Sequence, residues 1–238
     1  MDWKRATDFY LAEHWDLSLS LNSNWNESVF PLDWPQLIHV SPPPLGATEN
    51  EIIELAALKC IREQNQNLIW REATVESALV EPFQRIIPCV LDPQIFATIR
   101  AFMVEEAMPV FYFKRLYSRT RPFHVDATLG TVIPQASEHF PKHPSYPSSH
   151  ATLATIAAEV IKFLLDPYGT PATVETRARI DNVAFLIGFR REIAGLHFRS
   201  DTTAGISLGR QIFTLLRQQP TLAHVLFEAR QRFTILNS

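Results

Sequence analysis

The sequence predicts an all-α protein, a helical bundle preceded by an irregular N-terminal arm, and three observations carry that expectation. From Thr48 onward, apolar residues recur at helical spacing between proline and glycine breaks. Only 7 of the 238 residues are glycine, too few for a turn-rich all-β chain. Hydrophobic residues make up 46% and charged residues 20%, the reverse of a disordered composition. A chain of this length buries roughly 70–75% of its unfolded surface, so its core needs neither disulfides nor metal. The two cysteines, Cys60 and Cys89, agree with that.

Residues 1–47 form the arm. They hold Trp3, Trp15, Trp25 and Trp34 together with Pro31, Pro35 and the Pro42-Pro43-Pro44 run, without helical spacing. Such a segment is expected to wrap a preformed surface. The rest, 48–238, reads as one helical domain. Thr48-x-x-Glu51 has the form of a capping box ahead of Ile52, Ile53 and Leu55, and opens the first long helix. A second helix is predicted over about 74–87, ending at Pro88. Asp92-Pro93 supplies an N-cap and an N1 proline for a third, running toward Tyr117 with a kink or break at Pro109. Residues 118–147 carry five prolines and read as a long loop. Helices follow at about 149–165, 171–194, 199–218 and 221–234.

Charge and hydropathy exclude several function classes. With 22 Lys+Arg against 25 Asp+Glu, a net charge of −3 does not suit a nucleic-acid binder. The longest apolar stretch, Ala151 to Leu165, is interrupted by Glu159 and Lys162 and is shorter than the ~20 residues a membrane span needs. The first residues show no secretory leader, so a cytoplasmic location is expected, or a periplasmic one if a leader was removed.

Three segments concentrate the chemistry: Lys114 to Pro122, Tyr146 to His150, and Arg191 to Asp201. Singly, each has an ordinary structural explanation, as a helix C-terminal cation, a helix N-cap or a surface His/Asp pair. Together they supply what an oxyanion needs: fixed cations, N–H groups at a helix start, and an imidazole held by a carboxylate. Arg121 and Arg191 offer planar forks, Lys114 a compact point charge, and the Ser148-Ser149 turn backbone donors. His197 and Asp201 are four residues apart, so on one helical face the carboxylate orients one ring nitrogen and frees the other to attack. His150, just past the turn, is placed to protonate a leaving oxygen.

These segments resemble the three-part signature of the type-2 phosphatidic acid phosphatase superfamily, Lys-x6-Arg-Pro, Pro-Ser-Gly-His and Ser-Arg-x5-His-x3-Asp, over about residues 111–210. That superfamily includes bacterial class A acid phosphatases and vanadium-dependent haloperoxidases. Arg121-Pro122-Phe123 and Ser145-Tyr146-Pro147 extend the likeness toward the soluble acid phosphatases. The resemblance implies that Lys114, Arg121, Ser148, Ser149 and Arg191 bind phosphate or vanadate. His197 matches the phosphohistidine nucleophile, Asp201 its orienting partner and His150 the general acid. The implied reaction is hydrolysis of a small-molecule phosphate ester through phosphohistidine, with no cofactor. The alternative is a vanadium-dependent haloperoxidase, with vanadate on His197 and halide oxidised by hydrogen peroxide. A homo-oligomer is also consistent with the family.

Two positions depart from the signature: Ser149 replaces its glycine, and Arg190 replaces the serine before Arg191. The first reshapes the anion pocket if that residue needs a positive φ. His124, Asp126, His139 and His143 invite a zinc reading, but Pro141 and Pro144 disrupt ligand spacing, so a loop surface is preferred and no metal is expected. His143 is close enough to the turn for its imidazole to touch a bound oxyanion. Glu105 and Glu106 read as a solvated face or as partners of a nearby arginine.

Overall fold

In the computed structural model, residues 29–44, 48–74, 76–87, 91–166 and 171–236 are described, and no strand occurs among them. Trp3, Trp15, Trp25 and Cys89 lie outside these residues. Within the arm, a short helix α1 (Trp34–Leu37) starts beside Pro35, and Trp34 packs edge-on against Tyr112 and Phe113. Further along, the carbonyls of Val40 and Ser41 accept from the hydroxyls of Tyr117 and Tyr146, each at 2.5 Å. This stretch of arm is therefore fastened to two signature segments.

The first predicted long helix is divided into α2 (Thr48–Leu58), a 3₁₀ turn at Lys59–Ile61, and α3 (Arg62–Thr74). Glu51, expected in a capping box, has a further set of partners. Its carboxylate is buried and accepts from Arg119 and Ser200. The helix expected over 74–87 is also corrected, to a 3₁₀ turn at Glu76–Leu79 and a one-turn α4 (Glu81–Gln84). Pro82 is the physical reason: it lacks the N–H that a continuing helix requires and is accepted only in a first turn.

Helix α5 (Pro93–Met103) starts as predicted, with the Asp92 carboxylate accepting from Ile95 N at 2.9 Å. A 3₁₀ turn at Val104–Glu106 then separates it from α6 (Ala107–Tyr117), which has Pro109 in its first turn. After α6, Ser118 adopts a left-handed φ of 45° and the chain enters the long loop, relieved only by α7 (Pro122–Val125) and a 3₁₀ turn.

Helices α8 (Ser149–Leu165), α9 (Pro171–Ile193), α10 (Arg199–Leu216) and α11 (Pro220–Leu236) complete the bundle close to their predicted bounds. Helix α8 is central, packed on α5, α9, α10 and α11. Its inner positions are largely small, with Ala151, Ala154, Ala157 and Ala158 all buried. Helix α10 meets it through Gly205 and Gly209, where an added Cβ would lie 2.4 Å from the Ser148 carbonyl oxygen and 2.7 Å from that of Thr152. This close approach brings the start of α8 beside the start of α10. Helix α9 ends on Gly195 at φ 78°, a left-handed residue that turns the chain into His197.

Candidate active site

Helix ends and the loop deliver the signature residues to one buried region. Lys114 comes from the last turn of α6, Arg121 from just before α7, and Ser148, Ser149 and His150 from the start of α8. Arg191 lies at the end of α9, and His197 and Asp201 flank the start of α10. Lys114, Arg121 and Arg191 are 0%, 1% and 0% exposed, so three cations are held almost entirely out of water. That arrangement is costly unless anions or strong acceptors face them.

Each cation is held differently. Lys114 Nζ donates to the carbonyls of Pro144 (2.8 Å), Ser145 (3.3 Å) and Pro147 (2.7 Å), so its three protons are matched by three acceptors. Burial and the Arg121 charge push Lys114 well below the ordinary lysine value, while these three carbonyls and the Asp201 and Glu106 carboxyls favour its ammonium form, which adds positive field and leaves no spare donor. Arg121 donates from Nε to His143 O at 2.9 Å and from Nη1 to Leu196 O at 2.7 Å. Its Nη1 lies 3.4 Å from His197 Nε2 and its Nη2 3.2 Å from His143 Nδ1. Arg191 uses only Nη2, donating to Ile69 O and the Glu72 carboxylate, while its buried Nε and Nη1 have no partner.

The imidazoles are held in their neutral forms. His197 Nδ1 lies 3.2 Å from Asp201 Oδ2, so a proton on Nδ1 leaves the Nε2 lone pair facing Arg121. Burial, with the positive field of Arg121 and Lys114 and against the pull of Asp201, pushes His197 down to about 3. His150 donates from Nε2 to the Glu72 carbonyl at 3.2 Å. Burial and the Arg191 charge hold it well below the ordinary histidine value. His143 is lowered by burial and by Lys114 and Arg121, and it stacks edge-on against Phe111.

Behind these groups is a set of acidic partners that sequence reading did not single out. Asp201 Oδ1 is 2.5 Å from Arg119 Nη1, and Arg119 Nη2 is 2.7 Å from Glu51 Oε2. Glu51 Oε1 accepts from the Ser200 N–H and hydroxyl. Although burial alone would raise it, Arg119 beside Asp201 holds that carboxyl well below the usual range. Glu72 clamps Arg191 and also Arg190, the residue that replaces the motif serine. One signal was present in the sequence, since Arg119 lies inside the first motif; Glu72 is set only three residues from the apolar Ile69.

The reading of Glu106 is corrected. It is neither solvated nor paired with an arginine; it is buried and accepts from Ser149 Oγ at 2.8 Å. Ser149, for its part, is not among the positive-φ residues, so its Cβ brings no backbone strain. Ser148 caps α8, and the N–H groups of Ser149 and His150 open that helix without intrahelical acceptors. Among the described residues no group of His, Cys, Asp and Glu is arranged to hold a metal ion. His139 pairs with Glu138 and Trp70.

The family model described as PAP2 superfamily matches residues 94–224, more than half the chain and all three motifs. The chain belongs to the PAP2 superfamily. Within it, a non-specific acid phosphatase of Salmonella typhimurium is 30% identical over 125 residues, which are 52% of this chain and 46% of that protein. A vanadium-dependent bromoperoxidase of Ascophyllum nodosum is 32% identical over 103 residues, 34% of this chain and 18% of that one. The chain thus spans about half the length of the acid phosphatase it matches. A transmembrane PAP2-type phosphatidylglycerolphosphate phosphatase from Bacillus subtilis superposes with a TM-score of 0.51 at 16% identity, covering 90% of this chain and 94% of that one. That likeness concerns the PAP2 fold alone. No helix among the described residues is long and apolar enough to cross a membrane.

Proposed function

We propose that this protein is a phosphatase that hydrolyses small phosphate monoesters through a phosphohistidine on His197. The observation that carries the reading is Arg191, whose Nε and Nη1 are buried and unpartnered in a region of net positive charge beside neutral imidazoles. A tetrahedral oxyanion supplies the acceptors those groups need.

Neutral His197, its Nδ1 proton held by Asp201, attacks phosphorus through Nε2 as the bond to the ester oxygen breaks. Arg121 and Arg191 hold the nonbridging oxygens, with the N–H groups at the start of α8, while Lys114 adds positive field. His150 gives its proton to the departing oxygen, then takes one from the water that hydrolyses the phosphohistidine. A dianionic ligand beside His150 offsets the Arg191 charge and raises its proton affinity, so the acid is charged when substrate is bound.

The likeness to a bromoperoxidase favours a second reading, with vanadate as cofactor. The unpartnered Arg191 donors and the His197 lone pair suit vanadate as they suit phosphate, and vanadate would supply peroxide-dependent oxidation of halide. The test is aryl phosphate hydrolysis without added metal, measured beside halide oxidation with vanadate and hydrogen peroxide. His197→Ala should abolish hydrolysis of aryl and alkyl phosphates. His150→Ala should spare the aryl ester, whose leaving group needs little protonation, and Asp201→Asn should fall between them. Retention of aryl hydrolysis by His197→Ala would overturn the phosphohistidine mechanism, and halide oxidation without hydrolysis would favour the second reading.

A further inference from the structure

Glu106 has no part in the mechanism above, yet among the described residues it is the one buried carboxyl beside the site without an ion-pair partner. Its Oε1 accepts from Ser149 Oγ at 2.8 Å, and its Oε2 is buried without a partner. Ser149 opens α8, so one residue joins this carboxyl to the helix start that the anion faces. The hydroxyl exists because serine stands where the signature has glycine.

Charge bookkeeping gives this carboxyl a role. Around the site, Lys114, Arg119, Arg121, Arg190 and Arg191 face the paired carboxylates Glu51, Glu72 and Asp201, which leaves two positive charges in excess. A dianion neutralises that excess only while Glu106 keeps its proton; once Glu106 ionises, a single negative charge suffices.

We propose that Glu106, joined to the site through Ser149, selects the charge of the bound oxyanion, favouring a dianion when protonated and a monoanion when ionised. The inference rests on the anion-site reading and goes beyond it by naming what sets ligand charge. Burial raises Glu106 to about 7, against the pull of Ser149 and Lys114, which puts the change within the ordinary working range.

Among the described residues, Lys114 on α6 is the charge that acts on Glu106, and His150 adjoins Ser149 in sequence on α8. Glu159 and Lys162, further along α8, pair with each other. The only charged residue of α5 is Arg100, which is exposed, and Glu105 adjoins on the same 3₁₀ turn. Glu192, at the end of α9, is also raised to about 7, so only comparison with a Glu106 variant isolates this group.

The probe is sulfate, a monomeric dianion across the range tested, with affinity measured by calorimetry on the full chain between about pH 6 and about pH 8.5. Glu106→Gln keeps an acceptor for Ser149 and fixes the neutral state. It should match wild type within about twofold at the acid end and bind about tenfold more tightly at the alkaline end. Ser149→Gly removes the donor that stabilises the ionised carboxyl, and should move the wild-type pH midpoint upward. Parallel pH profiles for wild type and Glu106→Gln overturn this proposal alone. If sulfate does not bind wild type at any pH, the anion-site reading fails and takes this proposal with it.

Discussion

Arg119→Lys tests the support behind the nucleophile. Arg119 makes three polar contacts, Nη1 to Asp201 Oδ1 (2.5 Å) and Ser200 Oγ (2.6 Å) and Nη2 to Glu51 Oε2 (2.7 Å), and its guanidinium lies 4.2 Å over the Phe198 ring. An ammonium keeps the charge but is a single head on a flexible stem and cannot clamp both carboxylates as the fork does. Removing one partner of a buried pair costs about 3–5 kcal/mol, and lysine can retain one pair of two, so the expected loss is about 2 kcal/mol. For a chain of this size that lowers Tm by about 4–8 °C. Asp201 keeps its bonds from Phe198 N and His197, but its Oδ1 is released and the imidazole loosens. We expect kcat for an aryl phosphate to fall about 10–100-fold with KM within about threefold, because Arg119 does not face the anion. With less of its charge neutralised, Asp201 also raises the proton affinity of His197, so the acid limb of the rate profile moves to higher pH. Steady-state kinetics over pH with thermal unfolding on the same samples make the check. A lower Tm with unchanged kcat would show that Arg119 is only a fold element, and a raised KM at unchanged kcat would show that it contacts substrate.

Three further outcomes are expected. Gly205→Ala places a Cβ 2.4 Å from the Ser148 carbonyl and forces α8 and α10 apart, so it should cost about 1–3 kcal/mol in chemical denaturation and most of the activity; a fully active variant of wild-type stability would refute that packing account. Stability should depend on pH in opposite senses. His197, lowered to about 3, leaves the unfolded chain to bind the proton as pH falls from about 6.5, so stability is lost toward acid. Glu106, raised to about 7, makes the native state hold a proton the unfolded chain releases above about pH 4.5, so stability is lost as pH rises through 7. Thermal scans should therefore show Glu106→Gln gaining on wild type by about 3 kcal/mol above pH 7 and by little below pH 5, and equal gains at both ends would refute the assignment. Vanadate should inhibit hydrolysis more tightly than phosphate and in competition with it, since it readily becomes five-coordinate like the in-line transition state; inhibition not relieved by phosphate would place it elsewhere.

The site's inner residues were readable in the sequence because each sits at a fixed short spacing from another: Ser148 from His150, His197 from Asp201, Lys114 from Arg121. The supporting carboxylates were not, since Glu51 and Glu72 lie 149 and 119 positions from the residues they hold, Ser200 and Arg191. Nothing local marks such a partner, and a glutamate in a helix is normally solvent-facing. Glu51 also stands in a capping pattern, which points to a helix-end role and not to a buried one. The late helices are legible from proline and glycine punctuation, whereas the 74–87 stretch carries two candidate stops, Pro82 and Pro88, and local pattern does not say that Pro82 already divides it.

The carbonyl cage around Lys114 couples parts of the protein that share no side-chain contact. The peptide that offers Pro147 O to the ammonium carries at its other end the Ser148 N–H, which donates to the Asp201 carbonyl at 3.0 Å. A second, between Pro144 and Ser145, joins the ammonium in the same way to the Arg119 carbonyl at 2.9 Å. Each amide works as a polarised wire: positive charge at its oxygen draws electron density from its nitrogen and strengthens the bond beyond, by about 10–30% in condensed-phase estimates. The lysine thereby tightens the backbone of both halves of the Asp201–Arg119 pair without touching either side chain. Protonation of one buried amine and the set of the nucleophile's support are thus one variable, carried through two amides.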